Sequence, residues 1–178
     1  MKQLGDVCII KQRGVTTDIT DALFELLKAK ELSKITVTEL IRKAGVCRAS
    51  FYRNFYLTED VIRQYGIAMY AEINQQIPLN LNGIYEHILA VNTYLFSERE
   101  RLMLIERRGL YYLLEEPILQ QCMYQIQRLN AWNNRYQAEF YAGATTQLLR
   151  AWLRNDCAES PDEISRIIYT LLNHEALK

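Results

Sequence analysis

The amino-acid sequence predicts an all-α protein, and three observations carry that prediction. Apolar residues recur at intervals of three and four, and no stretch alternates strictly between apolar and polar residues. Turn-forming residues are sparse, with 7 glycines and 3 prolines in 178 residues. Hydrophobic residues make up 49% of the chain, which is enough for a real core and argues against disorder.

The first helix is predicted from about Asp18 to Lys30, with Thr17 as its N-cap. Its apolar positions, among them Ile19, Leu23 and Leu27, fall on one face. This face is expected to pack against the helices that follow.

A second, short helix is expected to start at Val37. Thr36 and Glu39 form a capping-box pattern, in which the hydroxyl accepts from the Glu39 amide and the carboxylate returns to the Thr36 amide. Gly45 can adopt the left-handed conformation that ends a helix. A third helix is predicted from about Arg48 to Phe55.

A longer fourth helix is predicted from Thr58 to about Gln76, before Pro78 and Gly83 interrupt the pattern. Further helices are expected at about residues 84–97, 98–114, 117–133, 136–156 and 161–177. Glu115 and Glu116, ahead of Pro117, indicate a helix end. The last helix has a strong start, because Ser160 is followed by Pro161 and then by Glu163.

The formal net charge is zero, but the charge is unevenly distributed. Residues 1–65 carry eleven Lys/Arg against eight Asp/Glu, and residues 66–178 carry ten against thirteen. Between Glu39 and Glu59 there are four basic residues and no acid. This local basic patch suits a polyanion, although a solvated basic face would look the same.

Four cysteines and two histidines show no metal-ligand spacing and no disulfide pattern, so reduced thiols and no metal or other cofactor are expected. The sequence contains neither a membrane-spanning apolar run nor a signal-peptide core. A cytoplasmic location is therefore expected.

Two short helices joined by a glycine-containing turn are typical of a helix-turn-helix, whose second helix enters the DNA major groove. On the third helix, Phe51 and Phe55 can be buried together, while the other side is polar. The candidate DNA-binding residues are Thr36, Thr38, Arg48, Ala49, Ser50, Tyr52, Arg53 and Asn54. Arginine can bind guanine O6 and N7, and hydroxyl and amide groups can bind bases or phosphates. A generic helical turn with chance arginines is the alternative.

The stretch ITVTELIRKAGVCRASFYRNFYLTEDVI, residues 35–62, resembles the DNA-binding domain of the tetracycline-repressor (TetR) family. With the first helix, the resemblance covers residues 13–65. The stretch FYAGATTQLLRAWLRNDCAESPDEISRII resembles, more weakly, the C-terminal domain of some members. The resemblance implies an all-helical homodimer with an operator-binding N-terminal domain and a C-terminal effector and dimerisation domain. The domains are accordingly predicted at 1–65 and 66–178.

By this resemblance Arg48, Ala49 and Ser50 would read bases, while Tyr52, Asn54 and the two threonines would contact the backbone. The sequence departs from the family pattern at two positions. Cys47 stands where serine is common, and Thr58 stands where a phosphate-binding lysine is common. Cys47 is interpreted as a small substitute for serine, or alternatively as a redox-sensitive thiol at a helix N-terminus.

The larger unit offers a predicted dimer interface and a predicted effector pocket. The interface candidates share the last two helices: Gln147, Leu148, Ala151, Trp152, Ile164, Ile168, Leu171 and Leu172. The pocket candidates are aromatic residues that could surround a hydrophobic small molecule: Tyr70, Tyr94, Tyr111, Tyr112 and Tyr124. For both sets the alternative is the protomer's own core.

The leading interpretation is a dimeric, sequence-specific DNA-binding regulator, a repressor that an unidentified small molecule releases from operator DNA. An activator, or a helical protein-interaction module with a vestigial helix-turn-helix, is the alternative. An enzyme is disfavoured because the sequence shows no nucleophile–base set, metal cluster or glycine-rich phosphate loop.

Overall fold

A computed structural model describes residues 14–77, 83–128 and 135–173 of the chain. Within these residues the regular structure is helical, which confirms the all-α prediction. The helices are α1 (Val15–Ala29), α2 (Val37–Ala44), α3 (Arg48–Asn54), α4 (Thr58–Gln76), α5 (Ile84–Ser97), α6 (Arg99–Arg107), α7 (Tyr112–Arg128), α8 (Arg135–Arg154) and α9 (Pro161–Asn173). A 3₁₀ turn, Leu32–Lys34, precedes α2. The chain divides into two compact units, Met1–Val61 and Ile62–Lys178.

The first unit is organised around the apolar face of α1. Ile19, Leu23 and Leu27 are fully buried, together with Leu40 of α2 and Phe51 of α3. Burying each of these large side chains stabilises the unit by about 1.5–3 kcal/mol relative to leaving it exposed. The spacing of apolar residues in all three helices therefore determines how α2 and α3 pack against α1.

The predicted start of α1 was wrong by one turn. The helix begins at Val15, with Gly14 as its N-cap, rather than after Thr17. The carbonyl of Gly14 already accepts from the amides of Thr17 and Asp18. Gly14 caps the helix through its backbone carbonyl alone. Because this cap involves no side chain, the sequence does not indicate that the helix starts here.

The second helix begins at Val37 as predicted, but only half of its capping box forms. The Glu39 amide donates to Thr36 Oγ1 at 3.2 Å. The Glu39 carboxylate instead accepts from Lys30 Nζ, at 2.5 and 2.6 Å. The Glu39 carboxylate thus pairs with Lys30, nine residues earlier in the sequence, instead of with the Thr36 amide.

The core of the second unit lies between α5 and α9, between α7 and α8, and between α6 and α8. Leu102, Ile105, Leu113, Leu114 and Ile118 are buried almost completely. A buried polar link joins α5 to α9. Asn92 of α5 donates to Ser165 Oγ at 2.9 Å, and that hydroxyl donates to the carbonyl of Pro161 at 2.5 Å.

The predicted helices at 98–114 and 117–133 were divided at the wrong place. Helix α6 ends at Arg107, and Gly109, which follows two residues later, has φ +70°. The amides of Gly109 and Leu110 donate to the carbonyls of Glu106 and Ile105, and these bonds end the helix. Helix α7 then begins at Tyr112, so Pro117 lies inside it. Residues 129–133 of the second prediction lie outside the described residues.

Helices α8 and α9 are joined by a short connection that contains two non-glycine residues in the left-handed region, Asp156 and Cys157. The predicted capping box of α9 forms in full. Ser160 N donates to the Glu163 carboxylate at 2.8 Å, and Glu163 N donates to Ser160 Oγ at 3.3 Å. Helix α8 ends at Arg154 rather than at 156, and residues 174–177 of the last prediction are not described.

Candidate nucleic-acid interface

The candidate interface is built on α2, the turn that follows it, and α3. Gly45 has φ +69°, and the amides of Gly45 and Val46 donate to the carbonyls of Arg42 and Ile41. These bonds end α2 in the left-handed glycine motif. Helix α3 starts only three residues later, so the two helices and their turn have the dimensions of a helix-turn-helix.

Helix α3 has one buried and one exposed side. Phe51 is fully buried, and its ring lies 5.6 Å from the ring of Phe55, which is 2% exposed. The predicted contact residues occupy the other positions: Ser50 is half-buried, and Arg48, Ala49, Tyr52, Arg53 and Asn54 are exposed. The phenylalanine pair orients α3, and the polar side is available to a partner.

Two predicted contacts already have partners within the unit. Arg48 Nη2 donates to Thr38 Oγ1 at 3.0 Å, which links α3 to α2. Asn54 Nδ2 donates to the carbonyl of Ser50 at 2.8 Å, so its amide is held against its own helix.

Cys47 is the N-cap residue of α3, and it makes no side-chain cap bond. Its Sγ lies 3.2 Å from Ser50 Oγ. The hydrogen bond from Ser50 is the main cause that lowers the pKa of the exposed Cys47 thiol below its ordinary value. Cys47 thus occupies the N-cap position, where serine is common in the resembled family, without supplying a cap bond. The redox hypothesis stays a prediction.

Two exposed side chains beside α3 were missed from the sequence. Tyr56 is 83% exposed and Leu57 is 59% exposed. Their amides donate to Asp60 Oδ2, at 3.0 and 2.9 Å, which fixes the turn into α4. An acid three residues into a helix is a signal for this arrangement, and it would have placed Tyr56 on the surface next to Phe55.

At Thr58, where the family commonly has lysine, the hydroxyl donates to Glu59 Oε2 at 3.1 Å. Thr58 therefore supplies neither a positive charge nor, in this conformation, a free hydroxyl proton. The first residue of α4 therefore lacks the positive charge that a lysine would place there.

The predicted effector residues differ widely in exposure. Tyr111 is fully buried and Tyr70 is 7% exposed, whereas Tyr112 and Tyr124 are more than half exposed. Tyr94 is half-buried, and its hydroxyl donates to Glu72 at 2.8 Å. Burial, together with the Glu72 carboxylate, raises the pKa of the Tyr94 phenol above its ordinary value.

The predicted dimer residues lie on two different sides of α8 and α9. Trp152, Ile164 and Ile168 are buried in the protomer, because the indole stacks on Phe96 and α9 packs against α5. The remaining described residues of the set are exposed or half-buried: Gln147, Leu148, Ala151 and Leu171. The side chain of Leu172 lies outside the described residues. The dimer interface stays a prediction, and it could use only the exposed side of each of these helices.

In the described part of the chain, no group of three or more His, Cys, Asp or Glu side chains could hold a metal ion. Over the same residues, none of the helices combines the length and the apolar character needed to cross a membrane.

The exposed helix-turn-helix of the first unit is the feature that defines helix-turn-helix proteins. Residues 105–174 match the family described as transcriptional regulator C-terminal region, in the TetR group. The uncharacterised HTH-type transcriptional regulator YxbF of Bacillus subtilis (strain 168) is 24% identical over 168 residues, which is 88% of this chain. The chain spans less than half of that relative, 44% of its length.

Solved structures share the fold at low sequence identity. The dihydroxyacetone kinase operon activator DhaS is 17% identical with a TM-score of 0.65, covering 89% of this chain and 93% of that chain. The TetR family repressor AlkX from Dietzia sp. strain DQ12-45-1b is 17% identical with a TM-score of 0.58, covering 91% and 95%. Residues 105–174 are thus similar to the C-terminal region of TetR-type transcriptional regulators, and the solved structures share the all-helical fold.

Proposed function

We propose that this protein is a homodimer that binds operator DNA sequence-specifically through α3 and thereby regulates transcription. One observation carries the proposal: the polar side of α3 is exposed, while Phe51 and Phe55 hold its other side in the core. A helix held in this way, after a tight glycine turn, has the geometry that enters the major groove.

The side chains divide into base and backbone contacts. Arg48, Ala49 and Ser50 lie in the first turn of α3, the part of a recognition helix that reaches base edges. Tyr52, Arg53 and Asn54 follow them, and we assign these residues to phosphate and sugar contacts. Thr36, the N-cap of α2, and Thr38, in its first turn, are assigned to phosphate and sugar contacts as well.

Charge in the first unit supports a polyanionic partner. Arg42, Lys43, Arg48 and Arg53 are exposed. Glu39, the nearest acid, is held by Lys30, with side chains only 24% and 31% exposed. Because Lys30 pairs with Glu39, the exposed basic side chains remain able to attract phosphate.

Dimerisation would use the exposed sides of α8 and α9. Gln147 and Ala151 are exposed on α8, and Ile167 and Leu171 are 43% and 52% exposed on α9. Two helices from each subunit can form a symmetric four-helix interface. A two-fold dimer would bind a near-palindromic site with one half-site for each α3.

The finer regulatory assignment is repression released by a small-molecule effector bound in the second unit. Its support is the similarity of residues 105–174 to the C-terminal region of TetR-type regulators and the aromatic content of that unit. An effector that favours the conformation with weaker DNA affinity must lose affinity for the DNA-bound protein by the same factor. The similar structures named above include both an activator and a repressor. Measuring transcription of the target gene with and without the protein would distinguish activation from repression.

DNA binding is tested by footprinting on DNA near the protein's own gene, followed by anisotropy titrations at several salt concentrations. We expect protection of a near-palindromic site and an affinity that falls steeply with salt. Arg48→Ala should reduce discrimination at one base pair of each half-site by about 1–3 kcal/mol. Arg107→Ala, which alters an exposed arginine paired with Asp156, is the matched control and should leave binding unchanged.

Failure would take two recognisable forms. If Arg48→Ala weakens binding to all sequences equally, Arg48 is a phosphate contact and the base-reader assignment is wrong. If the wild-type protein protects no site and binds DNA without sequence preference, the regulator proposal fails. The protein-interaction module would then be the better interpretation.

A further inference from the structure

The hydrogen bond between Arg48 and Thr38 joins the two helices of the helix-turn-helix. Arg48 is the first residue of α3, and Thr38 is the second residue of α2, ten positions earlier. Arg48 Nη2 donates to Thr38 Oγ1 at 3.0 Å, and both residues are exposed. The bond thus spans the turn on the outer surface of the unit.

Thr36 and Thr38 are two residues apart, but they have different roles. Thr36 Oγ1 accepts from the Glu39 amide, which makes Thr36 the cap of α2. Thr38 Oγ1 accepts from the guanidinium instead. A hydroxyl has one proton to donate and two lone pairs to accept, so Thr38 can still donate its proton to another acceptor.

Glu39 does not neutralise the charge of Arg48, because it pairs with Lys30. Glu39 directly follows Thr38 in the sequence, and a carboxylate would normally be the preferred partner of a guanidinium. Lys30 Nζ instead binds both oxygens of Glu39, at 2.5 and 2.6 Å. Arg48 is therefore oriented by a neutral hydroxyl, which leaves its positive charge and most of its five N–H donors for a ligand.

We infer that Thr38 is a positioning residue for Arg48, an inference that rests on the proposed function. On DNA, the Thr38 hydroxyl donates to a phosphate oxygen while it accepts from Arg48. The same bond holds the guanidinium toward the O6 and N7 acceptors of a neighbouring guanine. Because part of the rotamer freedom of Arg48 is already lost before binding, its base contact becomes more selective.

The experiment measures a base-preference profile rather than a single affinity. Each base pair of the protected half-site is replaced in turn, and the dissociation constants are measured for wild type, Thr38→Val, Thr38→Ser, Arg48→Ala and Thr38→Val/Arg48→Ala. Thr38→Val removes the hydroxyl at nearly constant volume. It should reduce discrimination about three- to tenfold at the base pair that Arg48→Ala also affects, as the loss of one hydrogen bond implies.

Two further results are expected if Thr38 acts through Arg48. Thr38→Ser, which retains the hydroxyl, should restore the wild-type profile. In the Arg48→Ala background, Thr38→Val should produce no additional loss of discrimination. Thr58→Val is the matched control, since its hydroxyl contacts Glu59 and not Arg48, and its profile should keep the wild-type shape.

The inference is overturned if Thr38→Val weakens all sequences by one common factor, or if its effect on discrimination persists in full without Arg48. A wild-type protein with no sequence preference would instead refute the proposed function itself. The two failures are therefore distinguishable in the same titrations.

Discussion

Gly45 shows how much one residue contributes to the candidate interface. Its φ of +69° lies in the left-handed region, where a side chain is strained. Apart from its two chain neighbours, no described residue has an atom within 4 Å of the position that a Cβ would take, so the requirement for glycine is one of backbone conformation and not of space. The turn between α2 and α3 depends on this conformation.

Gly45→Ala should therefore lower the free energy of unfolding by about 1–2 kcal/mol, the cost of a left-handed alanine. Gly143→Ala is the matched control, because Gly143 lies inside α8, where an added Cβ would meet no described atom within 4 Å apart from its chain neighbours and the backbone of its own helix. There alanine should stabilise the helix by about 0.5–1 kcal/mol. Urea unfolding followed by circular dichroism measures both, and equal effects of the two substitutions would contradict the explanation.

At the scale of the element, α9 has the most complete local start in the chain. Ser160 donates to the Glu163 carboxylate from both its hydroxyl, at 2.7 Å, and its amide, at 2.8 Å. The side-chain bond from Ser160 is the main cause that lowers the pKa of Glu163 below its ordinary value of 4.5. The ionised carboxylate therefore stabilises the folded state.

This linkage predicts how stability changes with pH. Because the pKa is depressed in the folded state, the stabilisation is present above pH 4.5 and is lost as the pH falls through the folded-state pKa. The Tm of wild type should exceed that of Glu163→Gln at pH 7, and the difference should shrink below pH 4.5. Ser160→Ala should remove most of the difference, and a difference that grows in acid would contradict the assignment.

Local signals predicted some helix ends well and others poorly. The bounds of α4, Thr58–Gln76, and of α5, Ile84–Ser97, agree with the prediction, because each end carries its own polar or turn-forming residues. The end of α6 was predicted wrongly, because the boundary was placed just before Pro117 and not at Gly109. Pro117 is tolerated inside α7, where its ring costs the helix a single backbone bond.

At the scale of the whole molecule, burial decides which side of α9 a second subunit could cover in the proposed dimer. Burial divides the α9 stripe between a side that packs inside the protomer, with Ile164 and Ile168, and an exposed side with Ile167 and Leu171. Both sides are apolar, so periodicity alone did not distinguish them. Only the exposed side can be covered by a partner.

The double variant Ile167→Glu/Leu171→Glu should shift the protein from dimer to monomer at micromolar concentration, because like charges would face each other across a two-fold interface. Light scattering after size exclusion measures the mass, and circular dichroism checks that the helices persist. Leu57→Glu, at an exposed leucine of the other unit, is the control and should leave the mass unchanged. An unchanged mass in the double variant would place the interface elsewhere.

The all-α class, the short helix pair with its glycine turn, and the polar side of α3 could all be predicted from the amino-acid sequence. These features are local, because apolar spacing, a left-handed glycine and capping residues act within one or two turns of chain. The tertiary structure decided which partners those residues use. Lys30 takes Glu39 from its expected cap, Thr38 holds Arg48, and Trp152 lies in the core rather than on a surface. Such pairings join residues that are distant in sequence and depend on how helices pack, which no local pattern encodes.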